Sequence, residues 1–186
     1  MSRRIQVMGQ SGSGKSTLGL RLAEVLGVPH VELDALFWLP NWVERDGDEF
    51  RAMVAAATAG DAWVVSGNYS GRVRDLTRPR ASMVVWLDLP LYVTLPRLIA
   101  RSWRRWRQRE VLWGTNVERF WPQLAVWDAN SLVGYSLRAR PRFRALMLGA
   151  LADPEWAQAR WIRLTSQREV DRFLASFMAE HAERSA

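Results

Sequence analysis

Cysteine is absent from the 186-residue chain, which excludes disulfides and any thiolate metal site. Histidine occurs twice, as His30 and His181, too few for a zinc cluster. No apolar run is long enough to cross a bilayer: the longest, Met83 to Ala100, is interrupted by Asp88, Pro90, Pro96 and Arg97. The apolar stretch near the N-terminus, about five residues, is too short for a secretory signal, so a cytoplasmic location is expected. Internal repeats and low-complexity linkers are also missing, and the length suits a single domain spanning residues 1–186. Of 26 basic residues only one, Lys15, is lysine, and all the others are arginine. A composition that keeps lysine in one place points to a site where arginine fails.

Lys15 lies in Gly9-Gln10-Ser11-Gly12-Ser13-Gly14-Lys15-Ser16, the G-x-x-x-x-G-K-S pattern of a phosphate-binding loop. Glycines let backbone N–H groups curl around phosphate oxygens, and the helix that follows directs its positive dipole end at them. An ammonium on a flexible stem reaches the β- and γ-phosphates, where a planar fork is too bulky. The expected nucleotide-binding set is Gly9, Ser11, Gly12, Ser13, Gly14, Lys15, Ser16 and Thr17, with the Ser16 hydroxyl on Mg²⁺. The expected ligands are therefore a nucleoside triphosphate and Mg²⁺. A GTPase is excluded, because its guanine-reading N-K-x-D motif requires a second lysine.

Neighbouring patterns support the loop. Arg4 to Met8 reads as a strand, and Ser16 to Leu26 carries Leu18, Leu22, Val25 and Leu26 at helical spacing, with Gly27 as C-cap. Further strands are expected at His30–Leu33, Trp63–Ser66, Ser82–Leu87 and Trp161–Leu164. Helices are expected over about 47–59, from Leu91 into an arginine run, over about 117–135 and 141–151, and over 169–179 behind a Ser166 cap. Five strands alternating with helices imply an α/β fold, a parallel sheet covered on both faces, and ligands at the strands' C-terminal ends.

Four segments carry a family resemblance: the glycine loop, Leu33-Asp34-Ala35-Leu36-Phe37-Trp38, Trp63-Val64-Val65-Ser66-Gly67-Asn68-Tyr69-Ser70, and Val85-Trp86-Leu87-Asp88-Leu89-Pro90. Together they resemble the adenylate-kinase-like P-loop kinases and, more narrowly, bacterial proteins named for DNA topology modulation, over essentially the whole chain. The resemblance implies the P-loop NTPase three-layer sandwich, a five-stranded parallel sheet in the order 2-3-1-4-5, and an arginine-rich helical lid. Lid and extra helices would fall within about 101–150. It also implies that the triphosphate is ATP and the chain an ATP-dependent transferase of the nucleoside monophosphate kinase type, moving the γ-phosphate to a small-molecule or nucleotide acceptor. In similar kinases of gluconate, shikimate or uridine, an aspartate after the second strand contacts the acceptor hydroxyl or Mg²⁺-bound water. Asp34 matches it, as catalytic, metal and substrate residue, and a carboxylate capping the next turn is the competing reading. The spacing of Arg97 and Arg101 resembles the helix leading into the lid, one arginine packing on adenine and the next reaching phosphate. One position departs from the narrow group: the aspartate before G-N-Y-S is here Ser66, which holds a metal-bound water only weakly. Asp88 is an alternative acid.

Other residues are read from their chemistry. Asn68, Tyr69 and Arg72 follow a strand end, and an amide, a phenol and a guanidinium suit a polar or phosphorylated substrate; an ordinary turn is the alternative. Trp38 and Trp42 are candidates to wall the same pocket. Arg97 and Arg101, four apart, share a helix face, while Arg104, Arg105, Arg107 and Arg109 read as a solvated face. Trp103, Trp106, Trp113, Trp121 and Trp127 interleave with arginines, as in surfaces that stack bases, although packing of a core or lid is the favoured reading. A net charge of +7 and a pI near 11.0 favour polyanionic partners. Two rival functions follow, a nucleic-acid-binding regulator with vestigial ATPase activity and a nucleic-acid end kinase. The expected partners are a nucleoside triphosphate and an unidentified acceptor, without a membrane, in a monomer or small homo-oligomer.

Overall fold

The structure is a computed structural model describing residues 3–128 and 131–182. Its first half runs β1 (Arg4–Gly9), α1 (Lys15–Leu26), β2 (His30–Glu32), α2 (Leu33–Phe37), β3 (Trp38–Leu39), β4 (Val43–Glu44), α3 (Gly47–Ala57), β5 (Trp63–Ser66) and α4 (Ser70–Thr77). The second half runs β6 (Met83–Leu87), α5 (Leu91–Gln108), β7 (Val111–Leu112), β8 (Asn116–Val117), α6 (Phe120–Gln123), α7 (Leu132–Ala150), β9 (Arg160–Leu164) and α8 (Gln167–Ala182).

Five strands form one parallel sheet in the order β2-β5-β1-β6-β9. The labels depart from the expected 2-3-1-4-5 because β3, β4, β7 and β8, which form two separate antiparallel hairpins, enter the chain count. The central strands β1, β5 and β6 are largely apolar on both sides, as a sheet covered twice requires; β6 is buried at all five positions. Along them side chains alternate between two cores. Ile5, Val7, Val64 and Val85 pack with Leu18 and Leu22 of α1 and Phe177 of α8. Met8, Val65 and Trp86 face the other way, to Phe50 and Val54 of α3, Val73 of α4 and Met147 of α7.

Local signals account for several boundaries. Gly27 ends α1 in the left-handed region (φ 61) and donates its N–H to Ala23 and Glu24. The Asp46 side chain accepts from the Asp48 and Glu49 N–H groups and starts α3, and Ser166 accepts from the Glu169 N–H at 3.3 Å. The 83–100 apolar run divides into β6 and the first half of α5.

Three expectations are corrected. The second strand stops at Glu32, and Leu33 opens a helix, so Asp34 sits in a helical first turn and not at a strand end. No continuous helix covers 117–135: the β7–β8 hairpin and the four-residue α6 occupy its start, and its positions 129 and 130 lie outside the described residues. The next helix begins at Leu132, not Pro141, because the Ser131 hydroxyl accepts the Gly134 N–H at 2.9 Å and nucleates it earlier. Pro141 is carried inside α7.

Candidate functional site

The loop between β1 and α1 is shaped by its glycines. Gly12 (φ 79) and Gly14 (φ 89) are left-handed, a conformation costly for other residues. Gly12 also lies so close to α5 that a Cβ there would strike the Thr94 carbonyl. Gly14 is the N-cap of α1 and provides no side-chain acceptor, so the first N–H groups of the helix stay available to an anion. Asn68 secures the loop from β5: its amide oxygen accepts from the Gly9 N–H at 3.1 Å and its nitrogen donates to the Gly9 carbonyl at 2.6 Å. Its amide is thus directed at the loop, not at an acceptor.

Lys15 opens α1 next to three charged groups. Burial lowers its pKa most, Asp34 and Glu32 push it back up, and Arg101 lowers it further. The Ser16 hydroxyl donates to the Glu32 carboxylate at 2.6 Å. Glu32 lies outside the motif-based candidates, and its signal in the sequence is the acidic pair of Glu32-Leu33-Asp34. Ser66, paired in register with Glu32 across β2 and β5, is 1% exposed and hydrogen-bonded to His30 at 2.9 Å. Ser66 thus serves His30, while the carboxylate at the Ser16 hydroxyl comes from the neighbouring strand, at Glu32. Burial lowers the His30 pKa, countered in part by Glu32. A serine hydroxyl and two carboxylates, Glu32 and Asp34, are hard oxygen donors of the kind that suit Mg²⁺.

Asp34 accepts a hydrogen bond from the Tyr69 hydroxyl at 2.8 Å. Burial and the Asp34 charge raise the Tyr69 pKa far above its usual value, so the phenol remains a donor. The Tyr69 ring packs on Phe37 and Phe50, with centroids 4.7 and 5.2 Å away. Trp38 begins one helical turn beyond Asp34, its N–H bonded to the Asp34 carbonyl. Arg72 is held away by Glu44 at 2.9 Å and lies over the Phe37 ring.

Arg97 and Arg101 are separated by the structure. Arg97 is exposed, whereas Arg101 is partly buried. Burial and Arg105 lower the Arg101 pKa, while Glu118, Asp34 and Glu32 raise it. Its Nε has no hydrogen-bond partner among the described residues, and neither does the buried Ser13 hydroxyl. Unpaired donors beside the Lys15 ammonium suit an oxyanion. The alternative acid, Asp88, is occupied by Arg144 and Arg163.

The α5–α6 region is docked on the opposite hairpin. Buried Asn116 accepts from the Trp42 N–H at 2.8 Å and donates to the Leu39 carbonyl at 3.0 Å. The Trp42 and Trp113 rings meet edge to face at 5.6 Å, and both residues have positive φ. Glu118 fixes α5 through Ser102 at 2.7 Å and Arg105 at 2.9 Å. Trp103, Trp106, Phe120 and Trp121 pack on one another, yet Trp121 is 66% and Trp127 83% exposed.

No protein-family model matches the chain. Its fold is similar to that of a gluconokinase from Sinorhizobium meliloti 1021, with TM-score 0.52 and 20% identity, covering 98% of this chain and 94% of that one. It is similar also to the shikimate kinase of Acinetobacter baumannii, with TM-score 0.52 and 20% identity over 97% and 93% of the two chains. A shikimate kinase from Bacteroides thetaiotaomicron gives TM-score 0.53 and 20% identity over 96% and 98%. In sequence, the chain is 30% identical over 121 residues to the uncharacterized protein YqaC of Bacillus subtilis (strain 168), a match spanning 64% of this chain and 67% of that protein. On that identity and coverage, the chain belongs to the family of YqaC.

Proposed function

We propose that the protein is an ATP-dependent phosphotransferase that moves the γ-phosphate of ATP to a hydroxyl of a small acceptor. The observation that carries this reading is the convergence of Lys15, Glu32, Asp34 and Arg101 beside an uncapped helix N-terminus. The fold shared with gluconokinase and shikimate kinases supports a small hydroxylated acceptor. It supports ATP as the donor as well.

In this reading the amides of the Gly9–Thr17 loop and the Lys15 ammonium bind the β- and γ-phosphates. Ser16, Glu32 and Asp34 would hold Mg²⁺, which would supply charge neutralisation for the phosphates. Tyr69 takes Asp34 Oδ1 and fixes the carboxylate. Oδ2 is then the oxygen that accepts the proton of the acceptor hydroxyl. That hydroxyl oxygen bonds to the γ-phosphorus as the bond to the β,γ-bridging oxygen breaks, and ADP leaves with the bond's electron pair. Arg101 donates to the transferring group, whose oxygens gain charge in the transition state. Arg97 would pack on the base when α5 and the β7–β8 hairpin close as a lid, and Trp38 would wall the acceptor. Lid and core would form a single domain, in a cytoplasmic enzyme.

The exposure of Trp121 and Trp127 favours a second reading in which the acceptor is a nucleic-acid end. A panel of polyols, hydroxy acids, nucleosides, nucleotides and oligonucleotides, scored for stimulated ATP consumption and product mass, tests both. A small molecule that gains phosphate supports the first reading, and transfer confined to oligonucleotides replaces it. Absence of transfer to every class refutes the phosphotransferase itself.

A further inference from the structure

A cavity of about 330 Å³ opens beside Asp88, Pro90, Arg140, Arg144, Arg163 and Thr165. None of these residues belongs to the Gly9–Ser16 loop. Trp86 and Trp161 belong to the core shared with α7, and the two-residue repeat of a strand puts Asp88 and Arg163 on that same face. Helix α1 covers the opposite face.

Two guanidinium groups meet one carboxylate there, and a third lines the same cavity. Asp88, whose side chain is 8% exposed, accepts from Arg144 Nε at 3.2 Å and Arg163 Nε at 3.0 Å through a single oxygen, Oδ2. Arg163 also lies 4.8 Å over the Trp86 ring. Arg140, one turn from Arg144 on α7, donates to the Leu89 carbonyl at 3.2 Å. Each arginine is thus held by a fixed protein group, while a guanidinium carries five N–H donors. One carboxylate leaves two positive charges uncompensated around a cavity large enough for a small ligand. Preorganised forks of this kind suit tetrahedral oxyanions.

We propose that this cavity is a second anion site, taking a phosphate-class dianion, either free phosphate or the phosphoryl group of a monoester. The proposal does not depend on the phosphotransferase reading. Inorganic phosphate is the probe, titrated calorimetrically into full-length Lys15→Ala protein, whose loop lacks its ammonium. One site per chain is expected. Arg140→Gln, which leaves the Asp88 pairs intact, and Arg144→Gln should each weaken it by about tenfold or more. Asp88→Asn should tighten binding several-fold by removing the competing carboxylate, an effect that a purely structural ion-pair cluster would not produce. Saturating ATP–Mg²⁺ should leave the phosphate site of the wild type in place. No binding in the Lys15→Ala protein, binding indifferent to the arginine variants, or displacement by ATP–Mg²⁺ would overturn the proposal, the last by assigning the cavity to the nucleotide.

Discussion

The glycine loop and the side of the candidate site that faces it are built by different means. The loop is contiguous: Gly9 to Ser16 set its backbone path, Asn68 bonds it at Gly9, and Thr94 lies close behind Gly12. The facing side is assembled across the chain, with Glu32 reaching Ser16, Tyr69 reaching Asp34, and Asn116 reaching Leu39 and Trp42. Backbone geometry dominates the first region, while side-chain contacts between separate elements dominate the second. Substitutions in the loop should therefore act on nucleotide binding, and those on the far side on transfer or on closure.

The largest expected effect tests the loop. Lys15→Arg keeps the charge but replaces a compact ammonium by a fork, and ATP turnover should fall by about 10²–10³-fold or more. Near-normal turnover in steady-state assays would show that the nest is not selective for lysine. Gly12→Ala belongs to the same region. Its left-handed φ and the Thr94 carbonyl behind it should cost about 1–3 kcal/mol of stability, read by denaturant unfolding, together with weaker ATP binding.

Effects across the site should be smaller and of another kind. Arg101→Ala is expected to lower turnover more than ATP affinity, because its contact strengthens as charge moves onto the phosphoryl group; a matched loss in both would make it an ordinary binding residue. Asn116→Ala leaves the Trp42 N–H and Leu39 carbonyl without their partner, a cost of about 1–3 kcal/mol. It should undock the hairpins and speed proteolysis after the arginines of α5. ATP–Mg²⁺ should slow that cleavage in the wild type, and identical cleavage with and without nucleotide would argue against closure. Ser66→Asp should bring no gain in Mg²⁺-dependent turnover, since Glu32 already occupies the Ser16 hydroxyl and Ser66 serves His30. A rise in activity would contradict that assignment.

The same division explains what the sequence disclosed. The glycine loop, the Gly27 cap and the apolar strands follow from contiguous residues, whose spacing is visible in the chain. Glu32 was half visible, as an acid two residues before Asp34, but its bond to Ser16 depends on the β2–α1 packing. Asn68 looks like a turn residue until the β5–β1 pairing brings it to Gly9. Asn116 and Glu118 gave no local sign, because their partners lie on other elements. The uniform helix expected over 117–135 failed for a related reason: Glu118 satisfies its carboxylate through Ser102 and Arg105 of α5, contacts that no local pattern discloses.

The measurement closest to the central claim combines calorimetric ATP affinity with acceptor-stimulated turnover in Asp34→Asn. The amide keeps the shape and the Tyr69 contact but cannot take the acceptor's proton. The account predicts an ATP dissociation constant within about threefold of wild type and turnover reduced by about 10²–10⁴-fold. Unchanged turnover, or a loss of ATP binding as large as the loss of turnover, would contradict it.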